Sequence, residues 1–389
     1  MYRIAAHTPA AACKGRCTAG TLGKNSMRVL QSLGLVLAAG AAGVLHAAAG
    51  RPILPAVPAA SLGQARLARA ATYINPVINR NFPDPSILSD RGVFYAYATN
   101  SGPNMLCARS EDLVHWSVFP EAMPILPDWA KRGRTWAPNV CAWTPGRRYV
   151  AYFTAWNRAT NQQNVGVAVA SLPGGPFDPT ANAAPLVEQA EEGGAIDPSC
   201  FTEDDGSRYL VWKNDGNSRG RDTWLWVQKL SEDGLSLVGT PTRLIKQDQP
   251  WEGRVVEAPT LCKHAGKYYL FYSANDYSTC RYAVGYAVAN ALRGPYVKPE
   301  RGPWLAAAPD TCGPGGEDIV RAGDGSEWMA YHTWAHGPHT YRSMSIDALT
   351  WEADGPHLRG PSHSPLSAPL AQASPDTWPA RARRPLQAR

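Results

Sequence analysis

The chain has 389 residues, 44% of them hydrophobic and 18% charged, which is the composition of a packed globular protein and excludes bulk disorder. Its formal charge of +6 sits at the ends: residues 1–49 hold five Lys or Arg and no acid, residues 357–389 hold five Arg and one Asp, and residues 50–356 carry 28 basic and 31 acidic side chains. A nucleic-acid binder keeps its positive charge on the folded face, so this distribution argues against nucleic acid as a partner.

Residues 1–26 are basic and small without periodicity. From Met27 the pattern sharpens: Arg28 supplies a positive residue, Val29 to Ala49 is mostly apolar, and the stretch ends in Ala47-Ala48-Ala49. This is the layout of a secretory signal peptide with its start at Met27, and a secreted or periplasmic protein is expected, with no membrane contact after cleavage. The alternative is a retained anchor, since residues 29–49 are long enough to span a bilayer. No Cys follows the apolar stretch, which leaves no site for a lipoprotein anchor. Of eight Cys, Cys13 and Cys17 precede Met27, leaving Cys107, Cys141, Cys200, Cys262, Cys280 and Cys312. Export permits disulfides among these six, but their spacing selects none of the fifteen pairings and supplies no metal motif.

Next in the chain come five copies of one unit. Short strands open at Asp84-Pro85-Ser86, Ala137-Pro138-Asn139, Asp197-Pro198-Ser199, Ala258-Pro259-Thr260 and Glu317-Asp318-Ile319. Each feeds a turn and then an aromatic strand, marked by Tyr95, Tyr149, Tyr209, Tyr268 and Trp328 at intervals of 54, 60, 59 and 60 residues. The residue before Pro is pushed toward extended geometry, so these positions are read as strand openings. Further strands are predicted over 105–109, 165–170, 224–229, 282–288 and 340–346. Short strands, frequent turns and a period near 60 describe an all-β fold, a five-bladed β-propeller over residues 74–356. Each blade buries its two faces only against its neighbours. Residues 357–389 are rich in Pro, Ser, Ala and Arg and are predicted to be a disordered tail, the alternative being a closing strand followed by coil. A closed propeller has no free edge to hide, so a monomer is expected.

The first strand of each blade lines the central channel, so matched openings converge on the axis. Asp84 and Asp197 stand just before Pro in blades 1 and 3, and Glu257 stands two residues before Pro259 in blade 4. Three carboxylates crowded into one pocket repel, which raises the pKa of at least one and keeps a protonated acid beside an ionised base. That pairing suits glycosidic hydrolysis, in which one carboxylic acid protonates the leaving oxygen and one carboxylate activates water. An isolated Asp-Pro is ordinarily a turn, and only its repetition at matched positions points to chemistry. The chain has neither a GxGxxG after a strand nor a GxxxxGK[ST], so no nucleotide chemistry is indicated.

The motifs Asn81-Phe82-Pro83-Asp84-Pro85-Ser86, Trp136-Ala137-Pro138-Asn139-Val140, Ile196-Asp197-Pro198-Ser199 and Val256-Glu257-Ala258-Pro259 resemble glycoside hydrolase family 43. So do Ser110-Glu111-Asp112-Leu113-Val114-His115-Trp116 and Cys312-Gly313-Pro314-Gly315. The resemblance covers residues 74–356 and implies a five-bladed propeller of inverting glycosidases acting on arabinose- and xylose-containing polysaccharides. It implies Asp84 as general base, Asp197 as the residue that orients the acid and tunes its pKa, and Glu257 as general acid. α-L-Arabinofuranosides or arabinan are the expected substrates, with β-xylosidase or endo-arabinanase action as alternatives. From another class, a non-catalytic glycan-binding propeller is the alternative.

For substrate contacts the sequence offers Phe82, Trp136 and Trp156 for stacking on sugar faces, Asn139, Asn157 and Asn275 for hydroxyls, and Arg342, which falls where the family's last blade sends an Arg to the pocket. The chemistry requires no cofactor. Many members carry His after the Gly-Pro-Gly of blade 5, near a channel metal or water; here that position is Gly316. His332 is the remaining channel imidazole, and a structural Ca²⁺ held through water by His332, Glu317 or Asp318 is an expectation of the resemblance.

Overall fold

The computed structural model describes residues 72–143, 148–179, 183–300 and 302–369. The predicted signal segment and the chain beyond residue 369 lie outside the described residues. The first described strand is β1 (Thr72–Tyr73). Blade 1 contains β2 (Ser86–Asp90), β3 (Val93–Ala98), β4 (Leu106–Ser110) and β5 (Ser117–Phe119). Blade 2 contains β6 (Ala130–Trp143), β7 (Arg148–Asn157) and β8 (Gln162–Ala170). Blade 3 contains β9 (Ala195–Thr202), β10 (Arg208–Asn214), β11 (Trp224–Leu230) and β12 (Leu237–Lys246). Blade 4 contains β13 (Val256–His264), β14 (Lys267–Ala274) and β15 (Ala283–Ala289). Blade 5 contains β16 (Cys312–Arg321), β17 (Glu327–Ala335), β18 (Tyr341–Glu352) and β19 (Gly355–Leu358), and β20 (Leu366–Ser367) follows it.

Every blade is an antiparallel sheet in sequence order, and the inner strands β2, β6, β9, β13 and β16 touch in turn, with β16 returning to β2. The five-bladed propeller is thereby closed. Blades 2 and 4 lack a regular fourth strand; single bridges replace it, Val165 to Val187 and Val169 to Asp178 in blade 2, Val284 to Leu305 and Val288 to Val297 in blade 4.

Five apolar clusters fill the five blade interfaces, and period-two alternation explains how one strand feeds two of them. In β14, Tyr268, Leu270 and Tyr272 face blade 3 while Tyr269 and Phe271 face blade 5. In β10, Tyr209 and Val211 face blade 4 while Leu210 and Trp212 face blade 2. Burying one such side chain contributes about 1.5–3 kcal/mol, so strands apolar on both faces are what radial packing selects.

Two expectations are corrected here. Residues 357–369 follow the alternative of a closing strand rather than a disordered tail: β19 pairs with β18, and β20 pairs with β1 through Thr72–Ser367 and Tyr73–Leu366. The segment 72–82 also follows β18, with Ile78 bridging Met344 and the Asn75 side chain bonded to both backbone groups of Ile346. A two-residue strand with a partner almost three hundred residues away leaves no periodic trace in the sequence. Second, the residues before Pro are not extended. Asp84, Ala137, Asp197 and Ala258 have φ of 53°, 40°, 54° and 50°, and Gly316 in blade 5 has 59°. The ladders of β6, β9, β13 and β16 slip at these points, so Ala137, Asp197, Ala258 and Gly316 sit in bulges, while Asp84 stands two residues before β2.

Two disulfides join neighbouring blades, Cys141–Cys200 across blades 2 and 3 and Cys280–Cys312 across blades 4 and 5, while Cys107 and Cys262 are free thiols. A buried ion pair ties the segment entering blade 4 to that blade's outer edge. Lys298 Nζ lies 2.8 Å from Glu252 Oε1 and 2.7 Å from Asp248 Oδ1, with the Lys298 and Glu252 side chains 6% and 0% exposed. Tyr272 donates to Glu252 at 2.7 Å. Lys298→Met is expected to cost about 3–5 kcal/mol, because it leaves the Glu252 charge buried without its cation. Urea unfolding measures this, and Glu252→Gln added to Lys298→Met should recover part of the loss.

Candidate active site

A pocket of about 380 Å³ opens where the bulges converge, with Asp84, Thr99 and Arg342 on one side and Asp197, Lys213 and Glu257 on the other. Positive φ at Asp84, two residues before β2, and at the bulge residue Asp197 aims those carboxylates inward, while in blade 4 the bulge residue is Ala258 and the preceding Glu257 faces the pocket.

Asp84 is held by three elements. Arg342 Nη1 donates to Oδ1 at 2.8 Å, Thr99 Oγ1 donates to Oδ2 at 2.6 Å, and the Asp84 N–H donates to His332 Nδ1 at 3.2 Å. Burial pushes its carboxyl up, but the Arg342 guanidinium, helped by the Thr99 hydroxyl, outweighs burial and holds Asp84 well below the usual carboxylate range. Asp84 is therefore ionised at neutral pH.

Asp197 is the opposite case. Burial first, then the charge of Glu257, push its carboxyl up to about 8, against the pull of Lys213. Its Oδ2 accepts the Ala258 N–H at 3.0 Å, which couples blade 3 to the turn that carries Glu257. Glu257 Oε2 accepts from Lys213 Nζ at 3.0 Å, and Oε1 accepts from the Tyr282 hydroxyl at 2.8 Å. Lys213 Nζ also lies 3.8 Å from Asp215 Oδ1. Burial lowers the Lys213 pKa, but Glu257, Asp215 and Asp197 more than compensate, so it stays a cation. The pocket thus sets an ionised carboxylate opposite a carboxyl pair that keeps a proton.

The remaining predicted contacts divide. Trp136 and Arg342 line the pocket. Phe82 does not: it is fully buried in the core between blades 1 and 5. Asn139 lies below the pocket, where its Oδ1 accepts the Cys200 N–H at 3.1 Å and binds blade 2 to blade 3. Asn157 is buried and its Oδ1 accepts the Ala159 N–H at 2.9 Å. Asn275 shapes a turn, donating to the Trp251 carbonyl at 2.8 Å. Trp156 carries the Arg134 guanidinium 5.7 Å from its ring and is outside the pocket lining. These Asn side chains satisfy backbone groups at strand ends, a local use that sequence position does not distinguish from binding.

Sequence reading overlooked Thr99, Lys213, Asp215, Tyr277 and Tyr282. The signal for Lys213 was present: it continues the face of Tyr209 and Val211, so a charge on an apolar face called for a buried counter-charge. Asp215, Asn217 and Ser218 reach the pocket from the 3-10 turn Gly216–Arg219 and its cap. Tyr277 stands at the rim, half exposed, with the Arg342 guanidinium 5.1 Å from its ring.

Below the pocket lies a cavity of about 40 Å³ lined by the five strand openings, Glu317 and Asp318 among them. Gly316 has no room for a side chain: a Cβ there would meet His332 Nδ1 at 2.6 Å and Asp84 Oδ1 at 3.0 Å. That explains why the glycine stands where other members carry His, since His332 already fills the space. Because His332 Nδ1 accepts the Asp84 N–H and burial lowers its pKa, the ring is neutral with its proton on Nε2. Nε2 is buried without a partner among the described residues, and so is Glu317 Oε1. Asp318 accepts the Ile87 N–H at 2.8 Å and Glu317 accepts the Ser273 hydroxyl at 2.5 Å. An Nε2–H does not ligate a cation directly, but together with the open Glu317 Oε1 it fits the expected ion held through water. Among the described residues, three groups at ligand spacing occur at Glu352, Asp354 and His357, on the outer strands of blade 5 and not in the channel.

The comparisons agree with this geometry. Residues 73–356 match the profile of the Glycosyl hydrolases family 43. An extracellular exo-α-(1→5)-L-arabinofuranosidase of Cellvibrio japonicus is 24% identical over 311 residues, covering 70% of this chain and 84% of its own. A xylosidase/arabinosidase of Butyrivibrio fibrisolvens is 28% identical over 215 residues, 51% of this chain and 38% of its own. The crystal structure of a thermostable family-43 glycoside hydrolase superposes with a TM-score of 0.70 at 30% identity, covering 77% of this chain and all of that one. With the family's motifs carried at the mouth of a five-bladed channel, the chain belongs to glycoside hydrolase family 43.

Proposed function

We propose that the protein is an exported, inverting α-L-arabinofuranosidase acting on arabinan or another arabinose-containing polysaccharide. The observation that carries the reading is the contrast across one pocket: Asp84 held ionised by Arg342, opposite the Asp197–Glu257 pair in which burial and like charge raise Asp197 to about 8. In this reading a water loses its proton to Asp84 as its oxygen attacks the anomeric carbon. The glycosidic C–O bond breaks on the other face, and the leaving oxygen takes the proton of Glu257. One water is consumed, the sugar departs with inverted configuration, and Asp84 returns its proton to solvent while Glu257 recovers one. Asp197 acts through Glu257, by its charge and by fixing the Ala258 N–H. Trp136 and Tyr277 offer rings for the apolar face of a pentose.

The arabinoside preference draws support from the Cellvibrio relative and from an exo-α-(1→5)-L-arabinofuranosidase of Streptomyces avermitilis, 24% identical over 74% of this chain and 63% of its own. β-Xyloside is the second reading, favoured by the likeness to the Butyrivibrio xylosidase/arabinosidase. Two disulfides among the described residues support export, since such bonds persist in oxidising compartments. Purified protein should release 4-nitrophenol from 4-nitrophenyl α-L-arabinofuranoside faster than from the β-D-xyloside, with the first sugar anomer seen by proton NMR inverted. Xyloside turnover alone would replace the arabinoside reading, product sizes from debranched arabinan would separate exo from endo action, and silence of a folded protein on all three would overturn it.

A further inference from the structure

Lys213 is fully buried on the face of β10 that packs against blade 4, in series with Tyr209 and Val211. An ammonium there is costly unless paired, and a methionine would fill the same wall at no electrostatic cost. Its partners are carboxylates of the pocket: Glu257 Oε2 at 3.0 Å and, more distantly, Asp215 Oδ1 at 3.8 Å. The other oxygen of Glu257, Oε1, meets the Tyr282 hydroxyl at 2.8 Å. An ammonium has three donors and no acceptor, so it disfavours a proton on the oxygen it touches, whereas the Tyr282 hydroxyl can accept from Oε1 as well as donate to it. Oε2 is thereby reserved, and a proton on Glu257 is confined to Oε1.

We propose that Lys213 is a positioning residue for the acid: it fixes the Glu257 carboxyl, directs its transferable proton to Oε1, and stabilises the carboxylate left when that proton has gone to the leaving oxygen. The proposal rests on the glycosidase reading above. The charged and titratable groups facing Glu257 define the sign of the effect. Lys213 and Tyr282 touch it, Asp197 repels it from blade 3, and Asp215 lies beyond Lys213. Asp84 and Arg342 stand across the pocket as an ion pair, and His332, at their side, is neutral. Removing Lys213 leaves repulsion from Asp197 unopposed by any touching cation, so the Asp197–Glu257 pair keeps its proton to higher pH.

The test compares Lys213→Met and Lys213→Arg with the wild type in the pH profile of kcat/KM on whichever aryl glycoside the wild type cleaves. Carboxyl ¹³C NMR titration of Asp- and Glu-labelled protein without substrate runs alongside. Lys213→Met should move the alkaline limb up by about one to three pH units and lower kcat at least about tenfold, with the carboxyl titration moving in the same direction. Lys213→Arg should return the limb toward the wild type. An unmoved limb and an unmoved titration in folded Lys213→Met would reduce Lys213 to a space-filling role and overturn the proposal. If Lys213→Met does not fold, Asp215→Asn decides: with its second carboxylate neutral, Lys213 serves Glu257 alone and the limb must move down, and any other result overturns it. The NMR titration reads the Lys213 charge whether or not a glycoside is cleaved, so wild-type inactivity sinks the glycosidase reading separately.

Discussion

Glu257→Gln is expected to remain folded and to lose about 10²–10⁴-fold in kcat on arabino-oligosaccharides, while losing far less on 4-nitrophenyl glycosides. The difference follows from the leaving group. A sugar alkoxide cannot depart without a proton, so removing the acid exposes the whole barrier, whereas nitrophenolate departs unprotonated and needs little help. Asp84→Asn should behave differently, with a loss of about 10²–10⁴-fold on both substrates, because water must be activated whatever leaves. The pair of variants on the pair of substrates therefore separates acid from base without a structure of a complex. Equal losses for Glu257→Gln on both substrates would assign Glu257 to something other than protonation.

The parts legible in the sequence are those that repeat. Aromatic strands spaced near 60 residues mark the blades, and Asp84, Asp197 and Glu257 stand out because strand openings recur at matched positions. What stayed hidden depends on geometry at a single point. Local rules push a residue before Pro toward extended backbone, yet at the channel mouth four such residues adopt positive φ, because five inner strands crowd one axis there. Phe82 lies two residues from Asp84, where sequence position suggests a stacking ring, but it belongs to the seam where segment 72–82 closes against blade 5. That seam is made of contacts between the two ends of the fold, which no local pattern announces. Lys213 and Tyr282 sit on strands that pattern alone reads as blade filler, and only the packing of blade 3 on blade 4 shows that both end on one carboxyl.

Arg342→Met is expected to move the acidic limb of kcat/KM upward by about one to three pH units and to lower the maximum by at least about tenfold. Asp84 is buried, and burial alone would raise its pKa; the guanidinium 2.8 Å from Oδ1 is the largest force holding it down. With that cation gone the base stays protonated to higher pH, so activity present in the wild type is lost from the acid side first. The alkaline limb belongs to the Asp197–Glu257 pair, on the far side of the pocket, and should move little. The two limbs then approach, and the fraction of enzyme with base ionised and acid protonated shrinks, which lowers the peak beyond the loss of any single contact. Lys213→Met shifts the other limb in the same direction, so the double variant should recover a window displaced to higher pH rather than a narrowed one. If Arg342→Met loses activity with its acidic limb in place, the guanidinium serves the substrate instead, and the Thr99 hydroxyl suffices to keep Asp84 ionised.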